Sequence, residues 1–182
     1  MQTTLNKIKS HNPCGIQNPS DTQQGWGKLL HHLGKTEADD DALDLQTIYN
    51  SNGVKDTIWA MRAVDGCKHQ ILGFLSECFE IALPAFIEQF GSESSDAALL
   101  ALKTYLAHDS EANREALFTA WKSIGLEEVG LCSANCGKEA YFVTNIAINS
   151  ATKRFYRSGH QEFKKAHDAS ISEIGSLLLK YI

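Results

Sequence analysis

Residues 71–90, ILGFLSECFEIALPAFIEQF, decide the fold class. Ile71, Leu75, Cys78, Phe79, Ala82 and Phe86 recur at the three- and four-residue intervals that line up side chains on one face of an α-helix. Leu72, Leu83 and Ile87 make that stripe wider than a surface helix needs, so the segment reads as a central helix contacted on two sides. Pro84 lacks the amide hydrogen that the helix would use, and it predicts a kink or a division in two. Glu77, Glu80 and Glu88 interrupt the apolar run, so no window is expected to approach the ~18 apolar residues of a membrane span.

The same period returns on both sides. Downstream, 96–108 turns Ala98, Leu102, Tyr105 and Leu106 inward, and Ser110 or Asp109 caps a helix reaching about residue 124 with Leu117, Phe118 and Trp121 as its core face. After a Gly- and Cys-containing connection, 138–156 turns Val143, Ile146, Ala147, Ala151 and Phe155 inward. The last stripe, in 161–182, is Phe163, His167, Ile171, Ile174, Leu178 and Tyr181. Upstream, Trp26, Leu29, Leu30 and Leu33 form a stripe closed by Gly34. Asp44 is placed to cap a short helix over 45–50, which Asn52-Gly53 ends. Another helix runs over 54–64 with Ile58, Met61 and the edge residue Trp59 inward, and Asp65-Gly66 stops it. No alternation of polar and apolar residues is long enough for a strand. The expectation is an all-α protein: a single compact multi-helix domain over 25–182, behind a polar, partly irregular segment over 1–24. Asn12-Pro13, Gly15 and Asn18-Pro19 punctuate that segment, with room for one short helix over 4–10.

The formal charge of −5 on 182 residues is unevenly laid out. Residues 1–36 and 150–182 each carry +3, and the span from Glu37 to Asn149 holds 18 acids against 7 bases, a balance of −11. Such a middle disfavours non-specific nucleic-acid binding and suits a basic partner. The N-terminus is polar, without an apolar run before a cleavage-like site, which points to the cytoplasm. Five cysteines then read as thiols, and no disulfide is expected.

No complete catalytic motif is present. Gly34-Lys35-Thr36 ends like a phosphate-binding loop, but Leu29 stands where the first glycine must be, and a helix precedes it. Asp39, Asp40 and Asp41 lack the alternation of a calcium loop, since Leu43 and Asp44 occupy its next ligand and glycine positions. Cys132 and Cys136 have C-x3-C spacing, and Cys67-Lys68-His69, His11 with Cys14, and His31-His32 could add zinc ligands only through tertiary assembly. Unliganded thiols are the simpler reading, so neither metal nor cofactor is expected. Lys153, Arg154, Arg157, Lys164 and Lys165 read as a solvated basic face.

The block GWGKLLHHLGKTEADDDALDLQTIYNSNGVKDTIWAMRAVDG resembles a stretch in uncharacterised bacterial and prophage-borne proteins, with words L-G-K-T-x-A-D-D, T-I-x-x-S-N-G and W-x-x-R-A-V in that order. From Ile58 onward the chain is also similar to a helical family of immunity proteins from polymorphic-toxin systems. The likeness lies in W-A-M-R-A-V at Trp59–Val64, the E-C-F-E helix around Cys78, and A-L-L-A-L-K at Ala97–Lys103. The chain departs from that family in carrying Asn, Ser and Cys in a second half that is there rich in Ala and Arg. The resemblance implies a small acidic protein that blocks a partner protein's active surface, with no catalytic residues to carry over.

The expectation for function is therefore a non-enzymatic binding protein of the immunity or inhibitor type, neutralising a basic partner such as a toxin or nuclease. The alternatives are a mobile-element antagonist of a host defence nuclease, acting by acidic mimicry, or a metal- or thiol-dependent enzyme. Glu37, Asp39, Asp40 and Asp41 are the candidate partner-binding residues, because clustered carboxylates repel one another and a basic partner would offset that repulsion. Lys35 and Arg62 are the cations that could instead neutralise them internally.

Overall fold

The computed structural model describes residues 1–124, 137–153 and 160–182, with side chains over 1–124, 141–149 and 161–182. At the N-terminus, Gln2–Thr3 (β1) pairs antiparallel with Leu43–Asp44 (β2), Thr3 opposite Leu43. Thr4 then caps Leu5–Ser10 (α1), its hydroxyl accepting from the Lys7 amide at 3.2 Å. Leu5 and Ile8 are buried in the same core as the later helices, so the 1–24 segment is docked on the body at these residues.

The remaining helices follow in chain order. Gly25–Leu33 (α2) ends at Gly34, whose φ of 65° is the left-handed closure that glycine adopts most cheaply. Leu45–Asn52 (α3) and Val54–Ala60 (α4) meet at Gly53, and a 3-10 turn, Met61–Ala63, extends α4. Lys68–Phe90 (α5), Ser92–Ala107 (α6), Glu111–Ser123 (α7), Gly137–Lys153 (α8) and His160–Leu178 (α9) complete them. The fold is all-α, a single domain with α5 at its centre. This helix packs chiefly against α8 and α6, and α9 lies across α8. That two-helix cover is what the wide stripe requires: Ile71, Leu72, Phe74, Leu75, Phe79 and Ala82 are completely buried, although Ile87, expected to widen the stripe, is exposed.

Several local expectations are corrected. Pro84 lies within α5 without dividing it, on the exposed side, where water can satisfy the carbonyl one turn earlier that loses its donor. The glutamates also dilute α5 less than expected, and an 18-residue window reaches a mean hydropathy of 1.4, long and apolar enough to cross a membrane. Half of that window is buried inside the fold, which accounts for its apolarity. Asp44 precedes α3 but makes no capping bond, and the Leu45 amide donates instead to the Met1 carbonyl at 3.0 Å, because β1 lies alongside. Phe118 is 42% exposed, since Leu117 and Trp121, four residues apart, define the inward face of α7 and Phe118 points about 100° away from Leu117. The expected core residues Ala151 and Phe155 lie outside the described side chains.

The chain end is held by α5. Tyr181 lays its ring over Gly73, where an added Cβ would stand 2.9 Å from the ring, and its hydroxyl donates to Glu77. Burial first, then the Glu77 carboxylate, pushes the Tyr181 phenol up to about 12 from 10.0. The folded form therefore keeps a proton that the unfolded chain has already released. This contribution is complete below pH 10 and is lost as pH rises towards 12. Cys78, raised to about 12 by burial, acts with the same sign. Urea midpoints measured from pH 9 to pH 12 should fall steadily, and Tyr181→Phe should make that decline shallower. An unchanged slope in the variant would remove Tyr181 from the account.

Candidate functional site

The acidic turn is built from its lysine outward. After Gly34 closes α2, the Lys35 amide donates to the Leu30 carbonyl at 3.0 Å, which aims the Lys35 side chain into the turn that follows. Its ammonium bridges Asp39 and Asp41, 2.8 Å from the latter. The Asp41 amide donates to Asp39 Oδ1 at 3.2 Å, the Asn6 amide to the Asp39 carbonyl at 3.0 Å, and the Thr4 hydroxyl to Asp40 at 3.4 Å. The hydrogen bond from Lys35 holds the Asp39 carboxyl below the usual carboxylate range, and the same bonds raise the Lys35 ammonium above its ordinary value. Asp39 thus adds stability at neutral pH that is lost on acidification below about pH 4.

The four predicted residues accordingly divide. Asp39 is half-buried and ties the turn to α1. Glu37, Asp40 and Asp41 are exposed, and Glu37 has no partner among the described residues. Arg62 does not approach the turn: its guanidinium lies 4.3 Å over the Trp59 ring and 5.8 Å from that of Tyr141, and its Nε donates to the Trp59 carbonyl. Lys35 is therefore the internal cation, and it offsets only part of the charge. Residues 35–44 hold one lysine against five carboxylates, a net −4.

A concave feature away from this turn escaped the sequence reading. Between α1, α2, α3, α4 and α8 lies a cavity of about 310 Å³, with Trp26, Trp59, Tyr141, Asn52, Asp56 and Cys14 in its lining. The Asn52 amide donates to the Gly25 carbonyl at 2.7 Å and to Asp56 Oδ2 at 2.8 Å, locking α2 to the α3–α4 corner. Asn52 and Trp59 belong to the words S-N-G and W-x-x-R, which is the one signal that could have drawn attention here. The elements that complete the cavity are too far apart in sequence for spacing to reveal it.

The thiols differ by position. Cys14 is exposed, Cys67 half-buried, and Cys78 buried with the Thr144 hydroxyl 3.8 Å from its sulfur. Burial keeps Cys78 almost wholly protonated at neutral pH and so a poor nucleophile. Cys132 and Cys136, whose spacing zinc sites also use but which read more simply as unliganded thiols, lie outside the described residues. Among the described residues no three His, Cys, Asp or Glu side chains converge as a metal site. Compared with known proteins, the chain matches no family model, no curated protein and no solved structure.

Proposed function

We propose that this chain is a non-enzymatic binding protein of the immunity or inhibitor type, acting in a bacterial or prophage setting on a basic partner protein such as a toxin or nuclease. One observation carries the reading: the acidic turn is both fixed and open. Lys35, Asn6 and Thr4 hold its shape, while Glu37, Asp40 and Asp41 face solvent. A surface whose order is already set loses little entropy on association, and its residual negative charge steers a cationic partner. The all-α architecture agrees with the helical family that the sequence resembles.

The test separates display from scaffold. Glu37→Gln with Asp40→Asn removes two exposed carboxylates that do not pair with Lys35. The melting temperature should stay within about 2 °C of the parent, as expected for surface changes. Affinity for a basic partner captured by the immobilised wild-type chain should fall by roughly an order of magnitude at low salt, and the difference should shrink as salt is added. Equal capture by the variant at every ionic strength would refute the assignment of this surface. Displacement of that partner by polynucleotide would favour the nucleic-acid mimic over the toxin inhibitor.

A further inference from the structure

The cavity beside α3 and α4 has the composition of a ligand site. Ligand pockets join mainly apolar walls to a few polar groups that fix orientation, and here the aromatic walls meet a half-buried carboxylate. Asp56 gives one oxygen to Asn52, at 2.8 Å, and its other oxygen takes no bond among the described residues. No lysine, arginine or histidine pairs with it there. Lys55 also lines the cavity, but it forms no ion pair with Asp56, and its ammonium lies 3.5 Å from the His167 ring nitrogen. Asp56 also sits in the first turn of α4, where a carboxylate favours the helix dipole. That role explains its presence on the helix, not its opening onto a chamber walled by two indoles and a phenol.

Those rings are suited to positive charge. An aromatic face attracts a cation through its quadrupole, and Trp59 and Tyr141 already attract one, the guanidinium of Arg62. A carboxylate oxygen is an acceptor that an ammonium N–H can meet with a charge-assisted hydrogen bond. An anion would meet Asp56 directly. A bare metal ion would find too few hard ligands among aromatic walls. The volume is at the lower end of the ~300–1,000 Å³ usual for ligand pockets, which suits a small molecule, and a nucleotide's phosphates would meet the Asp56 carboxylate.

We propose that this cavity binds a small protonated amine with an apolar or aromatic body, its ammonium on Asp56 and its body against Trp26 and Trp59. The site is independent of the acidic turn, and its test involves no protein partner. Tryptophan fluorescence and calorimetry would follow titration of the intact chain with phenethylamine and cyclohexylmethylamine, beside the neutral 2-phenylethanol and the anionic phenylacetate. Both amines should bind saturably, and the alcohol and the acid about tenfold more weakly or less, the loss expected of one charge-assisted hydrogen bond. Asp56→Asn keeps a carbonyl that can accept from Asn52, so the circular dichroism should be unchanged while amine affinity falls by a similar factor. Binding of 2-phenylethanol as tight as that of phenethylamine would overturn the proposal, as would full amine affinity in Asp56→Asn. Absence of saturable binding by both amines would overturn it too. Because the amine–alcohol comparison uses the wild-type chain, it decides the matter even where the variant folds poorly.

Discussion

Replacing Phe79 by alanine is expected to cost about 3–5 kcal/mol of folding stability, the range for a fully buried phenylalanine. Phe79 is completely buried in α5, and its ring stacks on that of Phe86 with centroids 4.5 Å apart and planes 10° from parallel. Phe86 in turn stacks on Phe90 at 6.0 Å. Truncation removes the first ring of this series and leaves a void that the covering helices fill only in part. A domain of this size has a total stability of about 5–15 kcal/mol, so the loss is a large fraction. The melting temperature should drop by about 6–20 °C, measured by circular dichroism. Ile87, on the same helix but 37% exposed, provides the control, and its change to alanine should cost less than about 1 kcal/mol. Equal effects at the two positions would contradict the assignment of the inward face of α5.

Helices were legible because their signals are local. The 71–90 stripe, Ser110 before α7 and the glycines after α2 and α3 each act within a turn or two of their own position. Ser110 accepts from the Asn113 amide at 3.2 Å, as its place before the apolar run predicts. The β1–β2 ladder was not legible, since two residues on each side leave no alternation to read and their partners lie about forty positions apart. That pairing also displaced Asp44 from its expected capping role. The resemblance words acquire physical meaning one at a time. In L-G-K-T-x-A-D-D, the glycine closes α2 and the lysine binds Asp39. In S-N-G, the asparagine bonds Gly25 and Asp56, and in W-x-x-R the arginine covers the tryptophan. Much of this wording is explained by packing and capping. The exposed carboxylates that Lys35 does not pair, Glu37 and Asp40, are therefore the more informative part of the turn.

Gly27→Ala should decide how firmly the segment before α2 belongs to the fold. Gly27 is inside α2, where alanine is the better helix former by about 1 kcal/mol, so a purely local effect would stabilise the protein. The structure predicts the opposite sign. A Cβ at Gly27 would lie 2.2 Å from the Asp21 carbonyl oxygen and 2.6 Å from that of Pro19, both backbone atoms that cannot rotate away. Relief requires the 13–24 stretch to lift from α2, straining the bond from the Trp26 amide to the Cys14 carbonyl at 2.8 Å. Overpacking of this kind costs about 1–3 kcal/mol, enough to outweigh the helix-propensity gain. Limited proteolysis should then cut within 13–24 well before the wild-type chain is cut. Gly34→Ala offers the contrast, because its Cβ meets nothing within 4 Å and the expected cost is only the ~1–2 kcal/mol of left-handed backbone. That change should leave the protease pattern as it was. A stabilised Gly27→Ala protein with unaltered cleavage would mean that residues 13–24 do not rest on α2. Pro13 and Cys14 would then no longer wall the cavity, and the amine site would lose one side of its enclosure.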